Sequence, residues 1–419
     1  MIRKSLKADL YQSEKRTAKK MTCPSCASPN MQLFHEITDV PVNSVLNIVS
    51  RYEALHFPRG DLALGFCRVC GFISNTAFNS ELIRYSSDCE ESQGYSETFN
   101  AFAERLAIEL VEKYDLHHKR IVEIGCGKGE FLKLICEIGH NWGVGFDPAY
   151  VGGRGSDSSN ERLEFIKDYY SEKYADYRGD MVCCRMTLEH IHKTAELINS
   201  VRYAIGDRQD TIVFFQVPDV TRILRECAFE DIYYEHCSYF SPGSLARLFR
   251  SCRFDILELK TVYQGQYLII ETKPASKPTH PKLRFEKDLQ GLEKYIRNFK
   301  ERYAAAVQFW CDFIEKAKNE NKQIVIWGSG SKGVTFLNSV PNSNFIDYAV
   351  DINPYRQGTF MAGTGQAIVA PEYLKSYRPD VVIVMNPVYR KEIRHNLSQM
   401  KLNPAILALG EPQTRDIIS

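Results

Sequence analysis

The densest run of proton-handling side chains is Glu230-Asp-Ile-Tyr-Tyr-Glu-His-Cys-Ser-Tyr-Phe-Ser-Pro242. His236 is the group in it best suited to take up a proton near neutral pH. Tyr233 or Glu235 can hold its ring, and Tyr233 or Tyr234 can donate to a neighbouring oxyanion. A second set lies in Ile121-Val-Glu-Ile-Gly-Cys-Gly-Lys-Gly-Glu-Phe-Leu132. Gly125, Gly127 and Gly129 let backbone approach a ligand closely or take positive φ. The helix start behind them offers free N–H groups to a carboxylate or phosphate. Glu123, just before the glycines, would face the phosphates of a dinucleotide unfavourably and suits a cationic ligand. A third set is Cys23-Pro-Ser-Cys26 and Cys67-Arg-Val-Cys70. Each turn presents two thiolates, and together they complete a tetrahedral Zn²⁺ site with no position left for water or substrate, which makes it structural.

These groups need elements to position them. Residues 121–124 read as a strand and 130–137 as an amphipathic helix. A strand over 143–147 ends at Asp147, where an acid suits a ribose diol. Further strands cover 165–168, 181–185 and 211–218, with a helix in the 190s. Strand alternating with helix predicts a parallel sheet covered on both faces. Ligands bind beyond the carboxyl ends of such strands. That rule puts Gly125, Asp147, Asp168, Arg185 and Gln216 on one rim, with the 230–242 segment just past the last strand. Upstream, 41–46 and 61–66 read as strands between the cysteine pairs, and 99–114 as a helix. The segment Tyr85–Tyr95 is polar and aromatic without periodicity. Tyr85, Tyr95 and Phe99 either cover a bound ligand or pack a seam between modules. Three prolines in 272–281 mark a linker. After it, apolar residues from Leu289 to Ala317 recur at three and four, predicting one long helix whose seam packs within the chain or forms a coiled-coil dimer.

The pattern E-x-G-x-G-x-G, with an acid about twenty residues on, resembles the class I S-adenosylmethionine methyltransferases. Taken with C-P-S-C, C-R-V-C and Y-Y-E-H-C-S-Y-F-S, it resembles the sugar C-methyltransferases of deoxysugar pathways. That resemblance implies an α/β fold: a class I methyltransferase Rossmann-like sheet, an N-terminal zinc-binding module and a C-terminal Rossmann-like domain. The corresponding boundaries are 1–80, 81–272 and 273–419. It implies S-adenosylmethionine as donor and a nucleotide-linked keto-deoxysugar as substrate. His236 would be the general base beside Tyr233 and Glu235. Glu123, Gly125, Gly127, Gly129, Asp147, Asp168 and Arg185 would hold the donor, Asp168 facing the adenine amine. Tyr85, Tyr95, Tyr234 and Lys332 would contact the sugar nucleotide. Cys23, Cys26, Cys67 and Cys70 would hold structural zinc. Two positions depart from the family pattern: Tyr234 replaces a frequent first histidine, and Tyr263-Gln-Gly-Gln-Tyr267 replaces a glycine-pair turn. An O-methyltransferase using the same donor site is the alternative.

A second glycine turn, Gly328-Ser-Gly-Ser-Lys-Gly333, follows the strand 324–327, and the next strand ends at Asp351. As G-x-G-x-x-G it supports a rival reading, an NAD-dependent oxidoreductase or nucleotide-sugar-binding protein. The whole chain has 419 residues, 44% hydrophobic and 25% charged, with a formal net charge of +1. That balance points to neither nucleic acid nor a membrane as partner. Thirteen cysteines without a secretion signal indicate reduced thiols or metal and a cytoplasmic protein. The basic residues Arg3 to Lys20 lack the apolar core of a signal peptide and read as a frayed leader. A monomer and a homodimer both remain compatible with this pattern.

Overall fold

The computed structural model describes residues 21–29, 31–152, 161–277 and 279–410; the basic leader lies outside them. Three sheets organise the chain. The first joins β1 (Met31–Pro41), β2 (Arg59–Cys67) and β3 (Ile73–Asn75) as an antiparallel meander. The expected strand at 41–46 is instead the end of β1 followed by irregular backbone, tied down by isolated bridges from Leu46 to Cys89 and Ile48 to Phe360.

The second sheet contains β4 (Arg120–Ile124), β5 (Trp142–Phe146), β6 (Leu163–Ile166), β7 (Met181–Arg185) and β8 (Ile212–Pro218), all parallel. In β4, Ile121, Val122, Glu123 and Ile124 are all buried, as a central strand covered on both faces requires. The short β9 (Ser238–Tyr239) leaves this unit and pairs with β3. The expected division at residue 80 is therefore bridged by main-chain hydrogen bonds. An antiparallel hairpin, β10 (Phe254–Val262) and β11 (Tyr267–Pro274), completes the sheet in the order β10-β11-β8-β7-β4-β5-β6. Pro274 falls at the end of β11, so the linker begins later than its prolines suggested.

The third sheet joins β12 (Ile324–Trp327), β13 (Tyr348–Val350), β14 (Ala367–Val369), β15 (Val381–Val384) and β16 (Ala405–Ala408), all parallel, in the order β14-β13-β12-β15-β16. This repeats the β6-β5-β4-β7-β8 order of the second sheet. The predicted single long helix is two, Leu289–Arg297 and Phe299–Asn319, with Asn298 ending one and starting the next. Its apolar seam is used internally: Leu292, Ile296 and Phe299 pack on the first sheet, and Trp310, Ile314 and Ala317 on the third. No helix among the described residues is long and apolar enough to cross a membrane.

Candidate active site

One cavity of about 1260 Å³ runs from the first glycine turn to the second. At the first turn, Gly125, Gly127 and Gly129 all have positive φ. A side chain at Gly125 would also collide with Thr187, so the tight approach after β4 requires glycine. The amide of Gly127 donates to Asp147 Oδ2 at 2.9 Å and that of Ala149 to Oδ1 at 2.7 Å, locking the β5 acid under the turn. Glu123 is 2% exposed, with Oε2 lacking a hydrogen-bond partner. Burial pushes its carboxyl up to about 8; Arg185 and the Leu132 amide oppose that shift. Arg185 lies 4.0 Å from the Phe131 ring centroid, its Nε donating to Gln216 at 3.0 Å. Asp168 reaches the mouth of the cavity, but Lys173 at 2.5 Å, Tyr174 at 2.6 Å and the Tyr169 amide at 2.8 Å already engage it. Lys173 and Tyr174 hold it down at about 2.

The wall beyond β8 carries the proton-handling groups. Tyr233 Oη and His236 Nε2 are 2.6 Å apart, and their rings lie 3.9 Å centre to centre. His236 is buried and its Nδ1 has no partner. Burial, with His190 and Lys332 nearby, holds the imidazole well below its usual range, so it is neutral at pH 7. Burial and the surrounding acids hold the Tyr233 phenol protonated. His190 lies 4.9 Å from the His236 ring, with its Nδ1 3.1 Å from Tyr85 Oη.

The structure separates residues that the sequence places side by side. Tyr233 and His236 meet in the cavity. Glu235 does not hold the His236 ring: it accepts from the Ser44 amide at 2.8 Å, Asn43 Nδ2 at 3.1 Å and the Ser44 hydroxyl. Tyr234 points the other way. Its ring is 1% exposed against Phe78, and its hydroxyl accepts from the Asn79 amide at 2.9 Å. It belongs to the core, which corrects its expected place against substrate. Lys332 lines the cavity paired with Asp231, which Arg222 also engages. Tyr85 and Tyr95 line it as well.

Several cavity residues escaped sequence reasoning. Glu189 and His190 follow β7 at the same rim rule that located Arg185, and that position was their available signal. Gln266 and Asn386 exchange hydrogen bonds of 2.8 and 3.1 Å across the second and third sheets. The segment 85–96 straps the cavity. Lys128 Nζ donates to the Cys89 carbonyl at 2.9 Å, Asn353 to Glu90 at 2.9 Å, Tyr389 to Gln93 at 2.8 Å and Ser96 to Glu392 at 2.7 Å.

Below the first sheet, Cys23 and Cys70 Sγ lie 3.6 Å apart, and Cys26 and Cys67 Sγ 3.7 Å. All four fall within 4.8 Å of one another. Tetrahedral Zn–S bonds of about 2.3 Å place sulfurs ~3.8 Å apart, so the four thiols fit that ion. Arg247, from the helix Pro242–Ser251, donates to the Cys70 carbonyl at 2.8 Å and fastens this corner to the second sheet.

The sheet order, the glycine turn and the acids at Glu123 and Asp147 define a class I S-adenosylmethionine-dependent methyltransferase. Residues 97–259 match the methyltransferase domain family, and residues 273–406 match the C-methyltransferase C-terminal domain. The two matches together take in most of the second and third sheets. It is 26% identical over 314 residues to the C-methyltransferase NovU of Streptomyces niveus, covering 71% of this chain and 73% of that protein. Among solved structures, it is similar to the 1,6-didemethyltoxoflavin-N1-methyltransferase of Burkholderia thailandensis, crystallised with S-adenosylhomocysteine. That match is 17% identical, with a TM-score of 0.33, over 42% of this chain and 79% of the other. The magnesium protoporphyrin IX methyltransferase of Synechocystis PCC 6803 gives 14% identity, a TM-score of 0.34, and coverage of 42% and 84%.

Proposed function

We propose that the enzyme methylates a carbon beside the ketone of a nucleotide-linked deoxysugar. The carrying observation is the buried His236, its Nε2 2.6 Å from Tyr233 Oη, on the wall of the same cavity that opens at the Gly125 turn. The similarity to NovU supports carbon as the acceptor. S-adenosylmethionine supplies an electrophilic methyl on a sulfonium centre when bound. The first glycine turn, Glu123 and Asp147 are the groups to hold it, and the buried unpartnered Glu123 oxygen suits its positive charge. Asp168 and Arg185 complete that end.

His236 acts as general base. The hydrogen beside a ketone is acidic enough for a positioned imidazole to remove. Tyr233, kept protonated, supplies a hydroxyl toward the oxygen on which negative charge develops. Glu235 takes a different role from the one its neighbourhood suggested: it ties the irregular backbone after β1 to this wall. Tyr85, Tyr95 and Lys332 face the sugar nucleotide.

The C-terminal domain encloses that substrate and carries no dinucleotide. Supporting this, Ser329 donates to Asp351 through both its amide (2.9 Å) and its hydroxyl (2.5 Å), while Arg356 donates to the Ser329 hydroxyl at 2.6 Å. Of the acid that a dinucleotide ribose would need, Oδ2 thus takes two donors, and the Asn353 amide donates to Oδ1 at 2.9 Å. The four cysteines hold a structural zinc ion, and the chain works in a reducing compartment such as the cytoplasm, consistent with thirteen cysteines of which none is in a disulfide.

The test is the position of the transferred methyl. With methyl-¹³C-labelled donor and thymidine diphosphate-linked 4-keto-6-deoxyglucose as probe, the labelled methyl should resonate at the aliphatic shift of a carbon-bound methyl and correlate through bonds with the ring carbon beside the ketone. An oxygen-bound methyl shift would replace this reading with O-methylation.

A further inference from the structure

Three acids stand near His236, and two are committed. Glu235 accepts from Asn43 and from the amide and hydroxyl of Ser44. Asp231 is bound by Arg222 and Lys332. Glu189, in the turn Leu188–His190 after β7, is 1% exposed, and neither of its oxygens has a hydrogen-bond partner. His236 Nδ1 is also buried without a partner, while Nε2 meets Tyr233. A Glu189 oxygen and ring nitrogens of His190 and His236 all lie within 4.8 Å of one another. Buried polar groups are rarely left unpaired, and those that are call for a cause.

We infer that Glu189 is the positioning residue that supplies the counter-charge when His236 takes the substrate proton. This rests on the assignment of His236 as base. In that step the C–H bond beside the ketone breaks, its electron pair moves onto the carbonyl oxygen, and the proton ends on the imidazole. A lone imidazolium in this buried wall is costly; beside a carboxylate the pair is neutral overall. Glu189 neither touches substrate nor receives the proton.

The other groups facing the pair do not compete for the role. Burial holds His190 down at about 4 and raises the Cys184 and Cys237 thiols, so all three are neutral at pH 7. The Tyr233 phenol stays protonated, and Lys332 is engaged by Asp231. Burial also pushes Glu189 up to about 8, its own amide opposing, so the carboxylate form grows as pH rises through that value.

Glu189→Gln keeps the shape and removes the charge; Glu189→Asp keeps the charge. With S-adenosylmethionine and thymidine diphosphate-linked 4-keto-6-deoxyglucose, Glu189→Gln should lower kcat about 100-fold. It should leave KM for the donor within about twofold and remove the rise of kcat through about pH 8. Glu189→Asp should restore much of the rate and the rise. Wild-type kcat and pH profile in Glu189→Gln would overturn the inference. Equal loss in both variants with weakened S-adenosylhomocysteine binding would overturn it too, as would a second divalent ion per chain, beyond the four-cysteine site, that Glu189→Gln abolishes. Should the wild-type enzyme leave that sugar untouched, the choice of sugar is what fails, and ¹⁵N-imidazole spectra of His236 then decide. The inference requires its ring signals to move with pH near 8 in the wild type and to stay still in Glu189→Gln; stationary wild-type signals contradict it.

Discussion

Glu123 faces opposing demands of stability and function. Its carboxyl sits in the central strand with one oxygen unpartnered, and burial moves its protonation to about 8. A carboxyl whose folded pKa is raised favours the fold fully below its unfolded value of about 4.3 and loses that contribution as pH climbs through its folded value. In the window from about pH 4.5 to 8.5, then, the ligand-free protein carries a growing penalty at this residue. Glu123→Gln escapes it. Thermal unfolding should show the variant matching wild type near pH 4.5 and exceeding it near pH 8.5 by at least ~1 kcal/mol, since one pKa unit is ~1.4 kcal/mol. Loss of a partner for Arg185 works against part of this gain. The same variant should bind S-adenosylmethionine more weakly. A variant less stable than wild type at the alkaline end would mean that Glu123 is ionised and compensated without ligand.

At the scale of elements, local pattern and tertiary partner divide what the sequence made legible. The strand–turn–helix around Gly125 and the two cysteine turns are each written within a dozen residues, and they stand where their spacing placed them. Tyr233 and His236, three apart in a tight turn, also meet as expected. Tyr234 and Glu235 do not follow their neighbours, because successive side chains leave this segment in different directions. Their partners Asn79, Asn43 and Ser44 lie far away in sequence. Nothing local marks those contacts. The break at Asn298 was hidden for a related reason: apolar spacing continues on both sides of a one-residue interruption. The cysteine turns also make a test of their own. Cys67 is buried and joins the core that includes Phe249 and Leu245 of the second unit. Cys67→Ser should lose the bound zinc by elemental analysis and cost more than ~4 kcal/mol, the scale of a lost structural metal. Full zinc content and an unchanged melting temperature would remove the structural role.

Across the whole molecule, the parallel part of the second sheet and the third sheet share one strand order and present their glycine turns to one cavity, while Val45, Phe78, Ser80 and Ile83 of the N-terminal unit and the 85–96 strap line its sides. Each of the three units contributes to the wall that holds His236: Ser44 reaches Glu235 from the first, and its hydroxyl bonds Ser331 of the third at 2.7 Å. Chemistry at His236 therefore depends on the assembled chain. Solvent exchange of the substrate hydrogen beside the ketone tests the claim most directly, because it reads proton removal without methyl transfer. With thymidine diphosphate-linked 4-keto-6-deoxyglucose and S-adenosylhomocysteine in D₂O, the wild-type enzyme should incorporate deuterium at that carbon. His236→Asn should slow incorporation by about 10²-fold or more while still binding S-adenosylhomocysteine. Deuterium entering at the wild-type rate in His236→Asn would contradict the account.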